Sequence, residues 1–383
     1  MKIIEINVHS TACIYGARRF AWSSANFFQK EGFMNINFKK NCKLLSGYQK
    51  VIEYDNIFEV LEDLEKKYFF YCNSRPPAWI VIDEDIFEAV GIGNGYCKLM
   101  PMSKDPHLYR GQTKDYGLCI PAIYRSSSND EVEYFINRLR SIEFELILKK
   151  HPAVIELNNT KILNCRIQVD FLGLAQHYGL STDCLDITNN FYIAAFFACC
   201  KYDKNADRFI PKTDSKEGII YYISPIIMGD YNNFDIVGLQ PFPRSAEQKA
   251  FRYKLNKGDD FAKKSFVQKL IFSQTSEGTD YIYRKFDNGN KLFPYDFLKN
   301  KVDEIKKTKI FSKKAFLETY ERFRFTKPKV YYQNKLKNKK IVFKENTNLC
   351  FNSEETKELD KLWKERRGNF FKNIGFRRVR YPD

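Results

Sequence analysis

Several patterns that would place this chain in a common class are missing from its sequence. No stretch approaches the ~18 uninterrupted apolar residues of a membrane span. The ten cysteines include no C-x-x-C pair, and the four histidines have no zinc-like spacing. No group of acidic residues has the spacing of metal ligands, which makes a nuclease a weak hypothesis. We therefore expect a cytoplasmic protein with reduced, buried thiols, no contact with a membrane and no metal site.

Aromatic and basic residues are what the sequence has in abundance. The 383 residues are 44% hydrophobic and include 34 Phe and 24 Tyr, enough to build the cores of two or three domains. The net charge is +16, and residues 301–383 hold 24 Lys and Arg against 11 Asp and Glu. This concentration of positive charge indicates an acidic partner such as nucleic acid or an acidic protein. The alternative is a lysine-rich face that is merely solvated.

Hydrophobic periodicity predicts a mixture of helices and strands. The first predicted helix is capped by Asn56, and the others span residues 130–149, 171–178, 191–200 and 290–325. Gly179 closes the helix at 171–178, and Thr188 or Asn189 caps the helix at 191–200. The predicted strands are one near the N-terminus, 78–82, 108–113 and 218–224, with a strand pair or extended arm at 329–344. The glycines of 91–95 follow a helical-looking segment, so we interpret them as a helix stop and not as a dinucleotide loop.

Two polar segments about sixty residues apart are the most specific feature of the chain. The first is Leu108–Thr113 (LYRGQT), and the second is Leu174–Thr188 (LAQHYGLSTDCLDIT). Each places several hydrogen-bonding side chains beside glycines. Polar groups packed this closely are costly to bury unless they are satisfied, so they indicate a functional site or a tight polar network.

Together these segments resemble the FRG domain, a family with an aromatic-Arg-Gly signature. The signature is matched by Tyr109-Arg110-Gly111, over a resemblance that spans roughly residues 55–255. The later elements of the family are matched by Gln176, His177, Tyr178, Gly179, Thr182, Leu185, Asp186, Thr188, Ala194, Ala195, Phe197, Ala198, Arg244, Gln248 and Phe251. The sequence departs from the family at Cys184, Ile187 and Ala250, where Leu, Trp and Gly are usual.

The resemblance implies a fold and a division of the chain. The FRG family is similar to ADP-ribosyltransferases, which implies an α+β fold built on a split mixed sheet with flanking helices. We expect an N-terminal mixed segment at 1–55, the FRG domain at 56–255 and a basic C-terminal α+β region at 256–383.

The resemblance also implies site residues, with NAD as the substrate. The expected catalytic residues are Arg110, His177, Thr182 and Glu247. The residues expected to contact NAD are Tyr109, Gly111, Gln112, Gln176, Tyr178, Ser181, Asp186, Arg244 and Gln248. Whether Glu247 or Gln248 faces the ribose is left open, because the segment has neither a Glu-x-Glu nor a Gln-x-Glu pair.

The residue types suit these roles, but each has a structural alternative. The guanidinium of Arg110 can hold a phosphate bidentately, and Gly111 can let a ligand approach the backbone. Arg110 can equally form a structural ion pair with Asp186. His177 can donate to a ribose hydroxyl or serve as a satisfied core histidine. Thr182 and Asp186 can cap local backbone instead of binding a ligand.

The hypothesis that follows is an NAD-dependent ADP-ribosyltransferase toxin that modifies nucleic acid, with RNA favoured, in a toxin–antitoxin or phage-defence system. An antitoxin partner is then expected. The alternatives are a transferase with a protein target, or a module that binds nucleic acid or protein without chemistry. Aromatic residues interleave with the basic C-terminal residues and could stack on bases. They could also belong to an ordinary amphipathic helix, with Leu362, Trp363, Phe370 and Phe371 packing inward.

Overall fold

The structure is a computed structural model that describes residues 50–73, 84–125, 130–162, 164–203, 205–212, 216–347 and 349–375. Its architecture is mixed α+β, as the sequence predicts. The strands predicted near the N-terminus and at 78–82, and the basic residues 377–380, lie outside the described residues.

A seven-stranded sheet carries both polar segments. In spatial order its strands are β1 (Val51–Tyr54), β13 (Val267–Ser273), β10 (Glu217–Ile223), β4 (Leu108–Gln112), β7 (Cys184–Thr188), β12 (Ala250–Lys254) and β11 (Phe234–Ile236). Strands β1 and β13 run parallel, and the other neighbours are antiparallel. The strands predicted at 108–113 and 218–224 are confirmed as β4 and β10, and the structure pairs them near the centre of this sheet.

Three smaller sheets accompany it within the described ranges. One has the order β16 (Ile374–Gly375), β2 (Phe87–Gly93), β3 (Tyr96–Pro101), β6 (Cys165–Ile167) and β5 (Lys161–Ile162), and the others are β8 (Cys200–Asp203) with β9 (Arg208–Pro211) and β14 (Ile310–Ser312) with β15 (Val342–Lys344). The interpretation of 91–95 as a helix stop is wrong. Gly93, Asn94 and Gly95 have positive φ and form the turn of the β2–β3 hairpin, where such backbone is required.

Eleven α-helices lie in the described part of the chain. They are α1 (Ile57–Asn73), α2 (Glu131–Leu148), α3 (Pro152–Asn159), α4 (Phe171–His177), α5 (Phe191–Cys199), α6 (Pro243–Glu247), α7 (Ser276–Lys285), α8 (Leu298–Lys307), α9 (Lys313–Arg322), α10 (Lys329–Asn338) and α11 (Ser353–Lys372). Among the residues described, none of these helices has the length and apolarity needed to cross a bilayer.

Side-chain caps set where the predicted helices begin. The Asn56 side chain accepts from the first turn of α1, and Asp130 accepts from Val132 N at the start of α2. Helix α4 is followed by Gly179 with φ of 83°, as predicted. The prediction of Thr188 or Asn189 as the cap of α5 is wrong. Strand β7 continues through Thr188, and the side chain that accepts from the first turn is that of Asn190.

The C-terminal region packs against the rest of the protein. Strand β13 is part of the seven-stranded sheet, and α8 to α11 contribute to the same hydrophobic cluster as α2. Trp363 and Phe370 of α11 are buried, which confirms inward packing for these two residues, and Phe371 is half-buried. Inward packing of Leu362 is wrong, because its side chain is exposed. The predicted strand pair at 329–344 is wrong. The segment forms α10, with Tyr332 and Leu336 buried four residues apart on one face, and only then β15.

Candidate functional site

The two polar segments meet in a cleft at the centre of the seven-stranded sheet. Strands β4 and β7 pair at Tyr109 and Thr188, and the cleft opens where the two strands run on without further pairing. It has a volume of about 380 Å³. Its lining comprises Tyr109, Arg110, Gly111, Gln112, Thr113, Tyr116, Arg125, His177, Asp186, Ile187, Thr188, Phe197, Cys200, Lys201, Tyr202, Phe209 and Gln248.

The charge of the cleft is mainly positive. Arg110, Arg125 and Lys201 line it together with one carboxylate, that of Asp186. Desolvation lowers the pKa of Arg125, and the positive charge of Arg110 lowers it further. Two guanidinium groups that repel each other across a small cleft make a favourable place for a group with negative charge, such as a phosphate.

Arg110 is held by a backbone group and keeps unused hydrogen-bonding capacity. Its Nη1 donates to the backbone oxygen of Asp186 at 2.8 Å, so the guanidinium does not form the ion pair with the Asp186 carboxylate that we considered. Its Nε is buried and has no hydrogen-bond partner among the described residues. A buried N–H without a partner is costly, which is typical of a group that meets a ligand.

His177 and Gln248 meet on the wall of the cleft. The Gln248 amide donates through Nε2 to the backbone oxygen of Leu292 at 3.0 Å, so its Oε1 faces Nδ1 of His177 at 2.8 Å. This arrangement assigns the proton of the neutral imidazole to Nδ1, and Nε2 is then an acceptor. Nε2 lies 3.7 Å from Oδ1 of Asp186, and neither atom has a hydrogen-bond partner among the described residues. Two adjacent acceptors suit a ligand that brings hydroxyl donors.

The Asp186 carboxylate is oriented by a short chain of hydrogen bonds. Gln176 Nε2 donates to Asp186 Oδ2 at 3.2 Å, and Thr182 Oγ1 donates to Oε1 of Gln176. Thr182 is fully buried and does not line the cleft. Its hydroxyl therefore positions Gln176 and, through it, Asp186.

The other predicted residues of these segments have structural partners. Tyr109 is buried and donates to Oδ2 of Asp105, and Gln112 Nε2 donates to the backbone oxygen of Lys114 at 3.2 Å. The space above Gly111 is taken by α5, because a Cβ there would lie 1.8 Å from the backbone oxygen of Ala194. This glycine permits close helix packing, on the side where we expected a ligand to approach.

Besides Gln176 and Thr182, four predicted residues are not brought into the lining of the cleft. Tyr178 is buried behind it, with its hydroxyl donating to Asp296, and the Arg244 guanidinium lies 4.5 Å from the centre of the Tyr178 ring. Ser181 is also absent from the lining. Glu247 is exposed at the end of α6, whereas the next residue, Gln248, is buried and lines the cleft.

One wall was not expected from the sequence. Tyr202 and Phe209 of the β8–β9 hairpin lie beside Phe197 of α5 and give the cleft an aromatic side. The Phe209 ring stacks on Phe293 with centroids 4.3 Å apart. The FRG elements predict neither Arg125 nor this hairpin. Both lie between those elements in the sequence, and neither carries any of their residues.

Comparison with known proteins supports the resemblance carried by the two polar segments. A sequence model of the FRG domain matches residues 105–207, a shorter stretch than the one over which we saw the resemblance. No curated protein and no solved structure matches the chain. The matched stretch contains β4, α4, β7 and α5, which between them supply most of the cleft. The predicted resemblance to the FRG domain is confirmed over residues 105–207.

Proposed function

We propose that the chain binds NAD in the cleft between β4 and β7 and transfers its ADP-ribose group to a nucleic-acid acceptor, with RNA favoured. One observation carries this proposal. Arg110 Nε, His177 Nε2 and Asp186 Oδ1 are buried and find no hydrogen-bond partner in the part of the chain that the structure describes, and all three residues line the same cleft. Unsatisfied buried groups that converge in this way indicate a polar ligand.

The lining fits the three chemical parts of NAD. Arg110 and Arg125 supply positive charge for the two phosphates. The acceptor atoms of His177 and Asp186 suit the hydroxyl groups of a ribose. Phe197, Tyr202 and Phe209 offer ring faces and edges for a heteroaromatic ring. Strands β4 and β7 pair at Tyr109 and Thr188 and then separate. This separation also supports the split sheet that we expected from the similarity to ADP-ribosyltransferases.

The reaction breaks the bond between C1 of the ribose and the ring nitrogen of nicotinamide. Nicotinamide leaves as a neutral ring with the bonding electron pair, and C1 gains positive charge as in glycoside cleavage. The Asp186 carboxylate stabilises this charge through the ribose hydroxyls, and Gln176 and Thr182 hold it in place. The acceptor then bonds to C1 and releases a proton to Asp186 or to solvent. We assign the carboxylate role to Asp186 because Glu247 is exposed outside the cleft.

The acceptor and the restraint on activity complete the proposal. The +13 net charge of residues 301–383 supports a polyanionic acceptor. A transferase that modifies cellular nucleic acid is toxic to its host, so an antitoxin that blocks the cleft belongs to the same proposal.

The test compares two carboxylate variants with labelled NAD as substrate. We expect Asp186→Asn to reduce nicotinamide release by about 10²–10³-fold, since it removes the charge from the group that faces the ribose. Glu247→Gln is the matched control, because it makes the same chemical change on an exposed carboxylate, and we expect near wild-type release. Label recovered on RNA, and not on DNA or protein, identifies the acceptor.

A separate measurement distinguishes the enzyme from a binding module. NAD at millimolar concentration raises the melting temperature if it binds the native state. No shift, together with no release of nicotinamide by the wild-type protein, would reject the proposal and favour a module without chemistry.

A further inference from the structure

A second group of positive charges lies outside the cleft. Arg140 of α2 donates through Nη2 to the backbone oxygen of Lys306 at 3.3 Å. The Lys306 ammonium lies over the backbone of Gly179, where a Cβ would be 3.1 Å from Nζ. Arg244 stacks on the ring of the adjacent Tyr178. Three helices thus bring Arg140, Arg244 and Lys306, which we call the cationic cluster, to the loop that follows α4.

The cationic cluster is incompletely neutralised. The Nε atoms of Arg140 and Arg244 are buried and have no hydrogen-bond partner among the described residues, and the Arg244 side chain is more than nine-tenths buried. Asp303 lies 3.9 Å from Lys306 and Glu133 lies 4.0 Å from Arg140, both at the limit of ion pairing. Arg244 interacts electrostatically with the buried Asp296, whose carboxylate also accepts from Tyr178. Buried guanidinium N–H groups without an acceptor indicate an anion as the missing partner.

The electrostatics of Lys306 agree with this geometry. Although the Lys306 side chain reaches the surface, its partial desolvation lowers its pKa, and the charges of Arg244, Lys299 and Arg140 lower the pKa further, against the opposite effect of Asp303. A phosphate placed among these mutually repelling positive charges would be bound favourably, because it offsets their repulsion.

The cluster adjoins the cleft and two exposed aromatic rings. Arg244 lies one helical turn before Gln248, and its guanidinium is 5.9 Å from the Phe293 ring, which stacks on Phe209 of the cleft. Tyr202 of the cleft rim is 45% exposed, and Tyr295, two residues after Phe293, is 79% exposed. Exposed rings beside cations are typical of surfaces that bind single-stranded nucleic acid, since the rings stack on bases while the cations bind phosphates.

We propose that Arg140, Arg244 and Lys306 bind a backbone phosphate of a single-stranded RNA acceptor, and that Tyr295 stacks on one of its bases beside the cleft. This inference rests on the proposed transferase function for its biological sense. The phosphate is that of the acceptor and not of NAD, because the cluster lies outside the cleft lining and the cleft has its own pair of arginines.

The test measures binding of a labelled single-stranded oligoribonucleotide to the full chain by fluorescence anisotropy, without NAD, over a range of salt concentrations. We expect Lys306→Gln to weaken binding several-fold and to reduce the slope of log K against log[salt] by about 0.7, the value for one lost phosphate contact. Lys307→Gln is the matched control, since it removes the same charge from the next residue of α8, which is also exposed. We expect it to bind like wild type.

Two further variants separate the possible outcomes. Tyr295→Ala should weaken binding to the single strand and leave binding to a duplex of the same sequence unchanged. Equal binding by Lys306→Gln and Lys307→Gln overturns the proposal, and so does a loss of NAD-induced thermal stabilisation in Lys306→Gln, which would assign the cluster to NAD. Because RNA binding is measured without NAD, a failure of the transferase proposal shows instead as absent nicotinamide release.

Discussion

Replacement of Gly111 by alanine tests why the aromatic-Arg-Gly element ends in a glycine. A Cβ at this position would lie 1.8 Å from the backbone oxygen of Ala194 and 2.7 Å from the backbone nitrogen of Ala198. Real Cβ atoms essentially never approach other atoms closer than 3.0 Å, so α5 must recede by at least about 1.2 Å. The atoms in the way are backbone atoms of a buried helix, which cannot move aside as a side-chain tip can. We therefore expect Gly111→Ala to lower the free energy of unfolding by about 3 kcal/mol or more.

The assay is urea unfolding followed by fluorescence, with Gly368→Ala as the matched control. Gly368 lies within α11, and a Cβ there meets nothing within 4 Å. The same substitution should therefore stabilise the protein by up to about 1 kcal/mol, through the higher helix propensity of alanine. A Gly111→Ala protein with wild-type stability would refute the packing argument. If such a protein also lost NAD binding, the glycine would instead serve the approach of a ligand.

Three further outcomes follow from the described contacts. Burial lowers the pKa of His151 from 6.5 to about 4, so between these pH values the unfolded state binds a proton that the native state does not, and wild-type stability falls as the pH falls. His151→Asn keeps a side chain that can cap the helix but removes this titration. Urea titrations should therefore show that the variant loses about 3 kcal/mol less stability than wild type between pH 7 and pH 4. Trp363→Ala should cost about 3–5 kcal/mol of unfolding free energy, whereas the neighbouring and 39% exposed Leu362 should tolerate alanine at little cost. Arg125→Gln should reduce the thermal stabilisation by NAD more than it changes the stability of the free protein, because it removes a positive charge from the cleft and, from the fold, a solvent-exposed hydrogen bond from Nε to the backbone oxygen of Ile120.

Much of the fold near the site could be predicted because local patterns there agree with the tertiary structure. Helix α1 has apolar residues at helical spacing after an Asn cap, and helix α2 has the same features after Asp130. The apolar sequence of α5 predicted a central helix, and its residues are almost entirely buried. In such segments, periodicity and burial lead to the same element.

Other segments were misjudged because the local pattern fits two structures. Glycines at 91–95 are compatible with a helix stop and with a hairpin, and the pairing of β2 with β3 decides between them. In 329–344 the aromatic and β-branched residues suggested strands. The burial of Tyr332 and Leu336 against α2 stabilises a helix instead.

The site was predicted in part for a similar reason. Arg110, His177, Asp186 and Gln248 were chosen from the sequence and lie in one cleft. Sequence could not decide between Glu247 and Gln248, because neighbouring residues at the end of a short helix point in different directions and only the packing shows which is buried. The aromatic wall depends on a hairpin far along the chain from the Arg-Gly element, and no local pattern reports that contact.

The order of strands in the seven-stranded sheet has a consequence for how the protein is made. Val51 of β1 pairs with Lys269 of β13, and β4 lies next to β10, which ends at Ile223. At about 5–20 residues per second, a ribosome needs roughly 10–40 s to pass from the first of these strands to the last. During this time β4 lacks its β10 neighbour and the sheet cannot close. A chain released before β13 therefore lacks a strand of the seven-stranded sheet that holds the cleft. The same interleaving makes the isolated stretch 105–207 a poor candidate for independent folding, since it lacks the strand that pairs with all five residues of β4.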